Sequence, residues 1–129
     1  MKTRSMVRRL GFTLIELLVV LAIISLLLTL AVPRYFQSIT TSKETILLEN
    51  LHVARETIDK FYGDTGRYPD SLDELVARKY LRALPYDPVA ESNSAWINLP
   101  PDDAAKGNVY SIKSSAPGMN RNGQAFSDL

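Results

Sequence analysis

The sequence predicts an α+β protein. One long N-terminal helix, membrane-spanning in its first half and amphipathic in its second, is expected to pack on a small domain with a short helix and a small antiparallel sheet. Three observations carry this expectation: a nearly unbroken apolar run over 12–32, an apolar stripe at helical spacing over 38–62, and two short β-prone segments among the prolines and glycines that follow. The order of elements divides the chain into a leader (1–11), a spanning helix (12–33), an amphipathic half (34–63) and a small domain (64–129).

The apolar run holds a single charged residue, Glu16, and follows a leader containing Lys2, Arg4, Arg8 and Arg9. At about 1.5 Å per residue it spans roughly 31 Å as a helix, the thickness of a bilayer's hydrocarbon core. Basic residues ahead of the run place the N-terminus in the cytoplasm and the rest of the chain outside. A secretory signal peptide has a shorter core, about 7 to 15 residues, and then a small-residue cleavage site. Glu16 is what a plain anchor leaves unexplained, because a carboxylate at a helix centre costs about 2.5–3.5 kcal/mol and less near the interface. Sitting about one turn inside the run, it either snorkels to the headgroups or meets a partner. A cut between Gly11 and Phe12 would create an α-amino group one turn away, able to pair with Glu16 of the same or a neighbouring chain.

Pro33 removes one amide donor and disfavours the carbonyl of Thr29. Two readings follow: a kink or unwinding over 29–33, or a simple mark of the bilayer boundary. Leu47, Leu51, Ala54, Ile58 and Phe61 then recur at intervals of four, three, four and three, an apolar face for a domain, while Lys43, Glu44, Glu49, Glu56, Asp59 and Lys60 keep the other faces wet. His52 lacks His, Cys or clustered carboxylates at ligand spacing and reads as a surface or half-buried residue. Gly63 and Gly66 are expected to end the helix.

Tyr68 before Pro69 is expected to be extended. Ser71 and Glu74 form a capping-box pattern opening a short helix to about Lys79, with Leu72, Leu75 and Val76 facing inward and Tyr80 and Leu81 closing it. Pro85 and Pro88 hold an extended path. Residues 95–99 and 109–113 are expected strands, with Tyr110 and Ile112 on one face, separated by an exposed loop over 102–107. Pro117 with Gly118, and Asn122 with Gly123, mark turns. Trp96 is expected to be buried against the helix.

Composition excludes several functions. The chain has 129 residues, a formal net charge of +1 and no cysteine, which rules out disulfides and thiolate metal sites. Four of the 15 basic residues lie in the leader, so the remainder is net acidic against 14 carboxylates and offers no electrostatic footprint for nucleic acid. A single histidine within a helix provides no nucleophile, base and orienting acid, and no glycine-rich phosphate loop follows a strand. The protein is not expected to be an enzyme.

The leader ending in Gly11, then Phe12, Thr13, Leu14, Ile15, Glu16 and the apolar run resemble the type IV pilin and pseudopilin signal. The segments DTGRYPDSLDEL and YLRALPYDP resemble the major pseudopilin of type II secretion systems. The resemblance implies cleavage after Gly11 by a prepilin peptidase, methylation of Phe12, assembly through Glu16 and Phe12, and helix melting at Pro33. It implies a single-pass inner-membrane protein with a periplasmic domain, which polymerises into a periplasmic filament assisting export of folded proteins. The partners implied are further copies of itself, minor pseudopilins, and an inner-membrane assembly platform with its ATPase. A subunit of a true type IV pilus is the alternative, and a tethered monomer that never polymerises is another. Major pseudopilins of this type hold the C-terminal loop with calcium. Here Gly118 and Ser127 stand where aspartates are expected, leaving Asn120, Asn122 and Asp128 as a weak calcium set. A purely packed loop is the competing expectation.

Overall fold

The computed structural model describes residues 11–129. Apart from Gly11, the leader expected at 1–11 lies outside the described residues. Helix α1 runs from Leu14 to Thr65 without interruption, and the chain divides into two units after Ser38. The unwinding expected over 29–33 is absent: Pro33 lies inside α1. One proline deletes one donor, and the surrounding turns keep theirs.

In the 39–129 unit, Leu47, Leu51, Ala54, Ile58 and Phe61 are all buried, as their spacing predicts. Burying each of the larger ones contributes about 1.5–3 kcal/mol. Against them pack Leu72 and Leu75, then Val109, Ile112, Ala116 and Phe126. Glu44, expected on the wet face, is instead 8% exposed, because it continues the same stripe three residues before Leu47. The helix also passes through Gly63 and ends at Gly66, whose positive φ of 76° suits glycine and whose N–H reaches Tyr62 O at 2.8 Å.

Helix α2 is Leu72–Ala77. Ser71 occupies its N-cap position but makes no side-chain cap bond, and Glu74 instead pairs with Arg67 at 2.8 Å, so the expected capping box is not formed. The C-terminal end is a Schellman motif: Lys79 N–H reaches Val76 O at 3.1 Å and Tyr80 N–H reaches Leu75 O at 2.8 Å. Lys79 sits at φ 65°, the place glycine normally takes.

The sheet is smaller than predicted. β1 (Ile97–Leu99) and β2 (Ser111–Lys113) pair antiparallel with Asn98 opposite Ile112. Tyr110 and Ile112 do not share an environment: Ile112 is buried, whereas Tyr110 is 51% exposed and lies before β2, turned toward Tyr68. The 102–107 loop contains a 3-10 turn, Ala104–Lys106, capped by Asp103 through Ala105 N–H at 3.0 Å. Trp96 is half-buried and donates Nε1–H to Pro85 O at 2.7 Å.

Asp87 is an anchor that the sequence did not disclose. It is 2% exposed; Oδ1 accepts from Val89 and Ala90 N–H at 2.9 and 3.0 Å, and Oδ2 accepts from the hydroxyl of buried Ser114. The same hydroxyl accepts from Ala116 N–H at 3.1 Å. A buried carboxylate needs such partners, and here they join the 85–92 loop to the segment after β2.

Two stability changes test these features in the full chain in detergent, followed by chemical denaturation. Ser114→Ala removes one partner each from Asp87 Oδ2 and Ala116 N–H and is expected to cost about 1–3 kcal/mol. Lys79→Gly relieves the left-handed backbone strain and is expected to stabilise by up to about 1 kcal/mol; no gain would mean that Lys79 is unstrained.

Candidate functional site

Residues 11–38 form the candidate assembly site. Gly11, Phe12 and Thr13 precede α1, and Glu16 lies in its first turn. Thr13 Oγ1 accepts from Glu16 N–H at 3.2 Å, and Thr13 O accepts from Leu17 N–H at 3.2 Å. Thr13 thus caps the helix, a role the sequence reading missed although Thr-x-x-Glu is the standard capping signature. The cap and the aligned peptide dipoles favour a carboxylate at this end.

Side chains from Phe12 through Val32 are exposed throughout, with Phe12 at 84% and Leu14 at 75%. This part of α1 is not buried by the rest of the chain and is long and apolar enough to cross a membrane. Its hydroxyls are satisfied within the helix: Ser25 Oγ–H donates to Leu21 O and Thr29 Oγ1–H to Ser25 O, each at 2.8 Å. Such back-bonding leaves the polar groups paired in a medium without water. So large an apolar surface marks a membrane or protein contact.

The C-terminal loop residues belong to the other unit. Asn120 Oδ1 accepts from Asn122 N–H and Gln124 N–H at 3.0 and 2.9 Å, Gly123 N–H reaches Asn120 O at 3.1 Å, and Asp128 O accepts from Gln124 Nε2 at 3.2 Å. Calcium asks for six to eight oxygens, including carboxylates. Asp128 is the single carboxylate of the set, Asn120 Oδ1 is already engaged, and among the described residues no group of three or more His, Cys, Asp or Glu assembles. The three residues do not fit calcium.

A carboxylate from α1 reaches this loop and meets the loop's own cation. Glu44 accepts from Arg121 at both carboxylate oxygens, Oε1 from the backbone N–H and Oε2 from Nε–H, each at 3.2 Å. Arg55 adds a second tie, donating to Ser111 Oγ at 3.2 Å, Ile112 O at 3.0 Å and Leu129 O at 2.6 Å. Asn50 Nδ2 makes a third, to Tyr86 O at 2.6 Å. Spacing alone exposes none of these, because each partner lies at least 36 residues away in sequence. His52, by contrast, is exposed on α1 with Nε2 3.1 Å from Glu56 Oε1.

Comparison with known proteins bears on the first site. A family profile described as the prokaryotic N-terminal methylation motif matches residues 6–32. The chain is also similar to the type IV major pilin protein PilA of Myxococcus xanthus (strain DK1622), 35% identical over 68 residues, which is 53% of this chain and 31% of that protein. The match therefore spans about a third of the relative's length. No solved structure matches the chain. The chain carries the methylation motif, and its long apolar helix, short helix and two-stranded sheet make a pilin-like architecture that fits a single-pass membrane anchor.

If the Glu44–Arg121 pair holds the loop, Arg121→Ala should expose the Asn122 and Gln124 amides to hydrogen exchange about 5- to 30-fold faster. That corresponds to about 1–2 kcal/mol, reduced from a fully buried pair because Arg121 is half in solvent. Adding a calcium chelator to the unaltered chain should leave those rates unchanged.

Proposed function

We propose that this chain is a non-enzymatic structural subunit that polymerises through its N-terminal helix. The observation that carries the reading is the exposed apolar surface of 12–32, directly after Gly11 and interrupted by one carboxylate at the first helical turn. A lipid bilayer covers such a surface in the monomer; neighbouring copies cover it in a filament. Removal of 1–11 frees the Phe12 amine beside Glu16, and methylation leaves it cationic. In a medium of low dielectric, an amine of one subunit and the Glu16 carboxylate of another neutralise each other and set the stagger between helices.

In this reading the subunit starts in the inner membrane with 1–11 on the cytoplasmic side and 39–129 in the periplasm. A prepilin peptidase processes it, and a platform with its ATPase assembles it alongside minor pseudopilins. The 64–88 segment supports a pseudopilin of type II secretion, whose short periplasmic filament helps move folded proteins across the outer membrane. The similarity to a type IV major pilin favours a second reading with equal weight, a subunit of an extracellular pilus used for adhesion, motility or DNA uptake. Deleting the gene separates them: secreted proteins retained in the periplasm support the first, whereas loss of surface fibres with secretion intact supports the second.

Two measurements test the shared core of the proposal. Mass spectrometry of membrane-extracted chain is expected to find Phe12 as the N-terminus, carrying one methyl group; an intact leader or another terminus overturns processing. Glu16→Ala is expected to lower filament yield about tenfold or more, the equivalent of about 1.4 kcal/mol at each contact, while insertion in the membrane persists. Filaments formed equally well by Glu16→Ala would leave the ion pair without a role.

A further inference from the structure

A cleft of about 270 Å³ opens in the 39–129 unit, between the end of α1 and the loop preceding β2. Its wall is aromatic. Tyr62 and Tyr68 stack with ring centroids 4.4 Å apart, and Tyr110 meets Tyr68 edge-on at 5.3 Å. Pro101 adds another apolar ring, and Asp102, Asp103 and Lys106 bring charge to the opening.

The segments lining the cleft are held by main-chain hydrogen bonds. Tyr68 N–H reaches Lys106 O at 2.5 Å, Val109 N–H reaches Pro69 O at 3.0 Å, and Tyr110 N–H reaches Leu99 O at 2.7 Å. Gly107 lies so close to this wall, at φ 125°, that a Cβ there would stand 2.2 Å from Tyr68 O. Burial, followed by the neighbouring Tyr62 and Tyr110, pushes the Tyr68 phenol above its ordinary pKa. A preformed wall admits a ligand without the ordering penalty of a mobile one.

The charges restrict what fits. Lys106 Nζ lies 3.3 Å from Tyr62 Oη and 5.8 Å from the Tyr62 ring centroid, so the position a ligand cation would take over that ring is held by the chain's own cation. An anion would meet the Asp102 and Asp103 carboxylates. A neutral ring with an apolar C–H face and several hydroxyls matches both demands: the exposed Tyr110 ring and Pro101 take the face, backed by the stacked Tyr62 and Tyr68, while Asp102 and Lys106 take hydroxyls. The volume lies just under the roughly 300–1,000 Å³ of drug-sized sites and suits a single sugar ring with its neighbour outside. The geometry points to a saccharide-binding subsite formed by Tyr62, Tyr68, Tyr110, Asp102 and Lys106. This role goes beyond filament formation and does not depend on it.

The test uses the full chain in polyoxyethylene detergent, which has no sugar headgroup, titrated with maltose, cellobiose or diacetylchitobiose and followed by amide chemical shifts. At least one of these neutral disaccharides is expected to shift Lys106, Gly107 and Tyr110 saturably with a midpoint of about 1–10 mM, leaving Asn122 in the distant loop unmoved. Tyr110→Ala and, separately, Asp102→Asn should each weaken that binding about tenfold; both residues are exposed, and unchanged shifts elsewhere verify the fold. The proposal is overturned if none of the three sugars moves these amides at about 50 mM. It is equally overturned if only tetramethylammonium or sialyllactose does, or if both folded variants bind as tightly as the parent.

Discussion

The 39–129 unit depends on one surface, the stripe of α1 from Leu47 to Phe61. Its sheet has two strands of three residues each, and a two-stranded ribbon of that size has no independent stability in water. Helix α2 is six residues long, too short to persist by itself. Each of these elements is ordered because it covers part of the stripe: Leu72 and Leu75 from α2, Ile112 from β2, and Phe126 from a terminal 3-10 turn, Phe126–Asp128. The hydrophobic effect supplies the stabilisation, and α1 supplies the template.

An apolar stripe does not specify where long loops go, and without cysteine no disulfide does so either. Polar side chains take that role. Glu44, Asn50 and Arg55 project from α1 to the C-terminal loop, the 85–88 segment and β2 respectively. Asp87 and Ser114 then join two of these regions to each other. Each contact is directional, and all but the exposed Asn50–Tyr86 bond are half or fully desolvated, so together they select one loop arrangement over others that would bury similar apolar area. Arg121 brings to Glu44 the positive charge that a bound metal ion would bring to a loop of carboxylates.

The described residues of the first unit, 11–38, follow the opposite logic. The side chains from Phe12 to Val32 bury nothing within the chain, and the Ser25 and Thr29 hydroxyls bond back to their own helix. A surface of this kind is covered by lipid or by protein, and in either case Glu16 is the costly feature. Its place in the first turn, with Thr13 capping its amide, puts the carboxylate about one turn inside the apolar run. Under the proposed function, anchoring and polymerisation would use these same residues at different times.

Features carried by local repetition were legible in the residues themselves. The apolar run, the stripe at 47, 51, 54, 58 and 61, the short helix after Pro69, the turns at Gly118 and Gly123 and the exposed His52 all rest on neighbours within one or two helical turns. The methylation motif was legible for the same reason, since Gly11, Phe12 and Glu16 fall within six consecutive residues. Tertiary structure decided what depends on partners far away in sequence. It moved Glu44 from the wet face into the core, sent Glu74 to Arg67 instead of the α2 cap, turned Tyr110 away from Ile112, and tied the C-terminal loop by an ion pair where calcium had been a candidate. Periodicity reports which face of an element is apolar; it cannot report which distant charge will make burial of a polar side chain affordable, because that partner is chosen only when the chain closes on itself.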